Sequence, residues 1–276
     1  MIASAKTCRR WLGGALLAAG LVACAQVATT SGGAVGVSRS QHMLLSSQEV
    51  EQMSAKSYAE QLQQARAAGR LNTSAAQTAR VRRISQRLIA QTPAFRPDAR
   101  DWRWEVNVLS TDDMNAYAMA GGKIMVYTGL MGRLKLTDAE LAAVIGHEIS
   151  HALREHTREN LSQEYAQQVG LSLVGALAGL SADQVKLAGM VTDVTLSKPH
   201  SRTMESEADL MGLELMARAG YDPNAAVNVW QKMQAAGSGG GMEFLSTHPS
   251  GPTRIHDLQA HIPQVWPLYQ AAPKKG

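Results

Sequence analysis

The sequence has few residues of the kinds that build disulfide or aromatic frameworks. Of its 276 residues only two are cysteine, Cys8 and Cys24, and aromatic residues make up 5%. Two cysteines exclude a scaffold stapled by several disulfides and a zinc finger built on cysteines. The scarcity of aromatic rings argues against a platform that stacks single-stranded nucleic acid. Hydrophobic residues still make up 45% of the chain, which indicates a folded protein with a packed core.

The apolar run near the N-terminus is too short for a membrane-spanning helix. It covers residues 11–23 and follows Lys6, Arg9 and Arg10, whereas a spanning helix needs about 20 apolar residues. A short apolar run after positive charges is typical of a secretory signal peptide, so we expect residues 1–23 to be removed. Their removal takes away three positive charges and no negative ones, so the formal net charge of +4 becomes +1. We therefore expect no nucleic-acid partner.

The signal ends in Leu21-Val22-Ala23-Cys24, which resembles the lipobox of bacterial lipoproteins. In such proteins the cysteine is acylated and becomes the first mature residue, and several acyl chains hold a protein firmly at a membrane. By analogy with Gram-negative lipoproteins, Ala25 in place of aspartate favours the outer membrane over the inner one. The alternative is ordinary secretion, with cleavage of a small-residue pattern before Gln26.

Composition and spacing divide the remaining chain into a tether and one domain. Residues 24–45 are rich in Ser, Thr, Gly and Ala and are predicted to be a flexible tether. Residues 46–276 are predicted to form a single α+β domain that is mainly helical. Its small β-sheet is predicted from the alternating residues 102–109 and from a hairpin-like pattern around Gly121-Gly122.

Two histidines at helical spacing form the first candidate site. Thr137 and Glu140 make a capping box that opens a helix predicted to reach about Asn160, and His147 and His151 lie on it four residues apart. They share one face and can both reach a single zinc ion. Glu148 lies between them as a general base for water. Chance produces this pattern on the order of 0.01 times in such a composition, and apolar residues on the preceding turns argue against a solvated surface helix.

A second helical motif offers the third ligand that a zinc site needs. Glu205 and Asp209 lie four residues apart and therefore share a helix face, while Glu207 points about 160° away. One carboxylate can bind the metal, and the other can accept the free N–H of a ligating histidine. Taken alone, the segment is also typical of a surface helix with three acidic residues. Beside the first motif, it favours a metal site.

The two motifs together resemble those of the zinc metallopeptidases that include the CAAX prenyl endopeptidases and HtpX. The resemblance spans about residues 75–262 and extends to Asn115, Ser201-Arg202, Thr247-His248-Pro249 and Arg254. It implies a zincin-like fold with the β-sheet beside the active-site helix. The resemblance is to the soluble periplasmic branch with BepA and LoiP. No tetratricopeptide region like that of BepA follows residue 262, so the size and the lipobox favour LoiP in particular.

The resemblance also implies a role for each residue of the two motifs. His147, His151 and Glu205 would bind one zinc ion, Glu148 would be the general base, and Asp209 would contact a ligating histidine.

Other residues are expected at the substrate side of the same site. Asn115 and the strand near residues 123–127 would lie beside a cleft in which an extended polypeptide adds as a strand. His248 or Arg254 would stabilise the oxyanion of the transition state.

Three interpretations of His248 stay open. It follows a glycine-rich hinge, residues 237–241. It is a transition-state donor, or, by analogy with BepA, an inhibitory fourth ligand that blocks the water position, or a loop histidine with no special role. The remaining histidines lack partners at ligand spacing. We expect His42, His156, His256 and His261 at the surface and His200 in a structural role, close to the site.

The resemblance therefore implies a lipid-anchored periplasmic zinc endopeptidase. Its partners would be unfolded or misassembled envelope polypeptides and the outer-membrane assembly machinery. Two rival functions are a chaperone-like assembly factor with little proteolysis and a structural envelope lipoprotein with an incidental metal site.

The lipobox predicts that Cys24 is the acylated residue. Cells fed a palmitate analogue are expected to label the wild-type protein and not the Cys24→Ala variant. A Cys8→Ala variant is the control and should label normally, because Cys8 lies in the removed signal. Equal labelling of Cys24→Ala and wild type would contradict the lipid anchor.

Overall fold

Helices make up most of the described chain. The computed structural model describes residues 25–177, 194–195, 199–237, 243–248 and 252–273. The helices are α1 (Ser47–Ala67), α2 (Ala75–Ile89), α3 (Thr128–Arg133), α4 (Asp138–Leu153), α5 (His156–Leu177), α6 (Arg202–Arg218), α7 (Asn224–Gly237), α8 (Glu243–Thr247) and α9 (Pro252–Ala271). The strands are β1 (Ala25–Val27), β2 (Gln41–Met43), β3 (Glu105–Leu109), β4 (Ala116–Met119) and β5 (Lys123–Tyr127). The predicted α+β fold, mainly helical with a small sheet, is confirmed.

Helix α4 forms the centre of the domain. The predicted capping box is present, because the Thr137 hydroxyl accepts from the Glu140 amide and the Glu140 carboxylate accepts from the Thr137 amide. The helix packs against α2, α6, α7 and β4, so every residue from Glu140 to Leu153 is buried. A helix enclosed on all sides needs apolar residues around its whole circumference rather than in a stripe, which is the pattern of this segment.

The three-stranded sheet has the order β3-β5-β4. The predicted hairpin forms, with β4 antiparallel to β5 and a turn at Gly121 and Gly122, both at positive φ. Strand β3 pairs with the other edge of β5 in parallel. Strand β4 is therefore an edge strand, and it packs directly against α4.

The expectation of a flexible tether is wrong for residues 25–45. Strands β1 and β2 pair with each other, and Val35 and Val37 join the main apolar core. The buried carboxylate of Glu214 accepts hydrogen bonds from the amides of Ala34, at 2.7 Å, and Val35, at 3.1 Å. The small residues of this segment allow close packing, and its partners lie far away in sequence, so composition did not reveal them. Residues 1–24 lie outside the described residues, so the signal peptide and Cys24 stay predictions.

The helix predicted to reach Asn160 is interrupted. Helix α4 ends at Leu153, and α5 starts at His156 after Glu155 has turned the chain at φ 52°. Ion pairs to Arg96 and Arg158 hold Glu155 in this left-handed conformation. Burial by itself raises the pKa of Glu155, but these two arginines outweigh burial and lower that pKa. A left-handed residue other than glycine is unfavourable on local grounds, so tertiary ion pairs decide this break.

Residues 169–180 are apolar but too few to span a membrane as a helix, and they fall only partly within the described chain. Helix α5 continues to Leu177, and residues 178–180 lie outside the described residues. None of the described helices has the length and apolar character needed to span a membrane.

Helices α4 and α6 cross at two glycines. A Cβ atom added to Gly212 would lie 2.8 Å from the His147 amide nitrogen and 3.0 Å from the Gly146 carbonyl carbon. Both obstacles are backbone atoms, which cannot rotate away as a flexible side chain would. The absence of a side chain at Gly212 therefore sets the spacing between the two helices.

Gly212→Ala is expected to destabilise the protein by about 1–3 kcal/mol, because overpacking forces the backbones apart. Gly132→Ala is the matched control, since a Cβ at that helical position meets no atom of the described residues within 4 Å. It should leave stability unchanged or raise it by up to about 1 kcal/mol, the helix-propensity gain. Urea unfolding of both variants checks this. Equal stability of Gly212→Ala and wild type would contradict the proposed crossing.

Candidate metal centre

Three elements bring four candidate ligands together inside the domain. Helix α4 supplies His147 and His151, α6 supplies Glu205, and His248 follows α8 directly. All four side chains are buried, and one potential ligand atom of each lies within 4.8 Å of those of the others. The sequence predicted the first three as zinc ligands and left His248 open.

The distances fit ligands that converge on one ion. His147 Nε2 lies 3.0 Å from His151 Nε2, and Glu205 carboxylate oxygens lie 3.5 and 3.4 Å from these two nitrogens. Ligand atoms at about 2.0–2.1 Å from a tetrahedral zinc ion are roughly 3.4 Å apart. Imidazole nitrogen and carboxylate oxygen are also donors that zinc accepts. The residues therefore fit the single zinc ion predicted from the sequence.

The protonation states of His151 and Glu205 suit metal binding. Burial, followed by the neighbouring His200, lowers the pKa of His151 well below its ordinary value, so this imidazole is neutral. Burial by itself raises the pKa of Glu205, but the neighbouring His248 and hydrogen bonds from the surrounding histidines hold that pKa well below its ordinary value. The site thus offers a neutral nitrogen and an ionised carboxylate.

Glu148 presents a free carboxylate oxygen to this cluster. Among the described residues no donor binds its buried Oε1 atom, and His248 Nε2 lies 3.5 Å away. Burial raises the pKa of Glu148, and the neighbouring His248 and His147 counter this in part. A buried carboxylate with a raised pKa and an oxygen aimed at the cluster is suited to accept a proton.

Asp209 lies behind the first histidine, as the sequence predicted. Its Oδ1 atom is 3.0 Å from His147 Nδ1, which leaves His147 Nε2 facing the cluster. A carboxylate in this position fixes the tautomer and the orientation of a ligating imidazole.

Arg254 does not lie where an oxyanion donor is needed. Its Nε and Nη2 atoms donate to both oxygens of Asp209, at 2.6 and 2.7 Å, and Nη1 lies 2.7 Å from Glu205 Oε2. Its guanidinium also stacks over the Trp230 ring at 3.7 Å. The expected role for Arg254 as an oxyanion donor is therefore wrong in this conformation, because two carboxylates bind the guanidinium from behind the ligands. It positions Glu205 and Asp209 instead.

The expected peptide-binding edge also needs correction. Strand β5, residues 123–127, lies in the middle of its sheet and has both edges paired, so no peptide can add to it. The edge strand beside α4 is β4, whose four residues are all buried. Asn115 is only 2% exposed, and its side-chain oxygen accepts from the Ala116 amide. Neither Asn115 nor β4 is accessible to a substrate in this conformation.

Sequence reasoning missed one histidine of the site. His156, expected at the surface, is fully buried, and its Nδ1 lies 2.8 Å from Nδ1 of His151. His200 stacks on the His151 ring at 4.2 Å, close to the site as expected. No ligand spacing marks His156, because the break after Leu153 is what turns it back toward His151.

Comparison with known families agrees with this geometry. Residues 75–262 match the family described as peptidase family M48, and this range includes the candidate ligands and Glu148. The chain belongs to peptidase family M48. The resemblance read from the two motifs is thus confirmed at the level of the family.

Several curated proteins resemble this M48 chain. It is 34% identical over 206 residues to the mitochondrial metalloendopeptidase OMA1 of Schizosaccharomyces pombe, an alignment that covers 69% of this chain and 58% of the relative. It is 27% identical over 156 residues to the metalloprotease YcaL of Escherichia coli, covering 56% of this chain and 61% of the relative. The beta-barrel assembly-enhancing protease of Escherichia coli is 28% identical over 171 residues, covering 58% of this chain and 35% of the relative. The M48 chain spans about a third to three fifths of these relatives.

Proposed function

We propose that this protein is a zinc-dependent endopeptidase. The observation that carries the proposal is the buried carboxylate oxygen of Glu148, which has no hydrogen-bond donor among the described residues and lies beside the His147, His151 and Glu205 cluster. Bound zinc would supply a Lewis acid that lowers the pKa of water and polarises the scissile carbonyl. Glu148 would take the proton of the attacking water and pass it to the leaving amine. Asp209 and Arg254 would keep the ligands in place from behind.

We further propose that the substrates are unfolded or misassembled proteins of the bacterial envelope. An edge strand accepts only extended backbone, and folded proteins seldom offer it. Strand β4, beside α4, is the edge that such a chain would use once uncovered. The lipobox-like Cys24 supports a periplasmic protein held at the outer membrane. The printed name of one relative, the beta-barrel assembly-enhancing protease, supports a connection with outer-membrane assembly.

Glu148→Gln is expected to lower casein cleavage by about 10²–10⁴-fold, the usual contribution of a general base, while zinc content stays at one ion per chain. Metal analysis and fluorescent-casein cleavage of the full-length protein check this, and a chelator should abolish wild-type cleavage. Unchanged cleavage by Glu148→Gln, or a wild-type protein that binds no zinc, would contradict the proposed activity. Bound zinc with suppressed aggregation but no cleavage would favour the chaperone-like function.

One observation favours a second, gated form of this function. His248 Nδ1 lies 3.0 Å from Glu205 Oε1 and 3.3 Å from His147 Nε2, so it belongs to the donor set. With four protein donors a tetrahedral zinc ion has no position left for water. The Phe244 amide in α8 also donates to the Met114 carbonyl next to β4. This supports a closed conformation in which the His248 segment covers both the metal and the edge strand.

His248→Ala is therefore expected to raise casein cleavage. Only the fraction of wild-type molecules with an open His248 segment would cleave, and the variant would be open throughout. If about 10% of wild-type molecules are open, the increase would be on the order of tenfold. His256→Ala, which removes an exposed histidine of α9, is the control and should cleave like wild type. Loss of cleavage in His248→Ala would instead favour a transition-state donor, and unchanged cleavage a loop histidine without a role.

A further inference from the structure

The second zinc ligand has an unusual support behind it. His147 faces a carboxylate, Asp209, with its outer nitrogen. His151 instead faces another imidazole, since its Nδ1 lies 2.8 Å from Nδ1 of His156. On its far side, His156 Nε2 lies 3.0 Å from Glu207 Oε2. The three groups form a buried chain that leads away from the metal.

Hydrogen-bond directions allow only one proton order in this chain. His151 is neutral when it offers the Nε2 lone pair to zinc, so its proton is on Nδ1. The contact with His156 then requires that His156 Nδ1 accepts, which places the His156 proton on Nε2. That N–H in turn donates to the carboxylate of Glu207. In this order the His151–His156 contact and the His156–Glu207 contact each have one donor and one acceptor.

The fold explains why an imidazole stands between ligand and carboxylate. Glu207 is on α6, two residues after the ligand Glu205, so its side chain leaves the helix on a different face. The interruption of α4 after Leu153 places His156 at the first position of α5, where its ring bridges the gap. If α4 continued past Leu153 without a break, His156 would not lie at this position.

Glu207 is itself held by two arginines. Arg154, which is fully buried, donates from Nη2 to Glu207 Oε1 at 3.0 Å. Arg39, from the segment between β1 and β2, donates from Nε to the same oxygen at 2.8 Å and also pairs with Glu159. The orientation of the carboxylate is thus set from two sides.

We propose that His156 is a positioning residue for the zinc site, held by Glu207, that keeps His151 in the tautomer and the orientation in which Nε2 faces the metal. The inference rests on the zinc site of the proposed enzyme. His156, which lies outside both motifs, would support His151 as Asp209 supports His147.

Zinc affinity of the full-length protein, measured by competition with a chelator, tests this assignment. His156→Phe keeps a ring and loses both nitrogens, and it is expected to weaken zinc binding roughly 10–100-fold, as loss of such supporting groups does. His156→Gln retains an acceptor and a donor and should recover most of the affinity. His256→Phe is the control: this exposed histidine of α9 takes no part in the contacts described for His151, so zinc affinity should stay within about threefold of wild type.

Wild-type affinity in His156→Phe would overturn the proposal. So would equal losses in His156→Phe and His156→Gln when thermal unfolding shows both variants folded, because that outcome indicates a packing role only. Neither readout depends on peptide cleavage, so a failure of the proposed peptidase activity is distinguishable from a failure of this inference.

A second measurement needs no variant and keeps the proposal testable if the substitutions prevent folding. ¹⁵N NMR of zinc-loaded, histidine-labelled wild-type protein is expected to show protons on His151 Nδ1 and His156 Nε2 and none on His156 Nδ1. A proton on His156 Nδ1 would overturn the proposed order.

Discussion

The close crossing of α4 and α6 is the constraint on which the site depends. With Gly146 facing Gly212, the two backbones approach until a Cβ at Gly212 would lie 2.8 Å from the His147 amide. This approach brings Glu205 on one helix within 3.5 Å of His147 on the other. A larger separation would leave two histidines and a carboxylate that share no ion. The packing of the core and the chemistry of the site therefore have one geometric origin.

Burying the carboxylates and imidazoles around the candidate metal site is unfavourable unless they have partners. Two layers of charge provide the partners. On one side Arg254 binds Asp209 and Glu205, and on the other Arg154 and Arg39 bind Glu207 and Glu159. Arg39 of the second layer belongs to the segment before α1, so residues 25–45 are part of the domain. The candidate metal ligands are held between these layers, whose side chains are buried except for that of Arg39, which is 33% exposed.

The same enclosure keeps solvent and substrate out. His248 belongs to the donor set, and the edge strand β4 is buried beside it. A peptidase with this arrangement needs a rearrangement of the segment around α8 before an extended chain can pair with β4. In the conformation described here, β4 is closed to an extended chain.

Local patterns predicted much of this protein because they act within a few residues. The capping box at Thr137 predicted where α4 starts, and the four-residue spacings of His147–His151 and Glu205–Asp209 predicted the metal-binding faces, since helix geometry alone decides which side chains are neighbours. Only the tertiary structure decided the packing of residues 25–45, the break at Glu155 and the burial of His156. These depend on ion pairs and hydrogen bonds between residues distant in sequence, such as Glu155 with Arg96 and Glu207 with Arg39. A local pattern contains no information about such partners, because they meet only when the whole chain has folded.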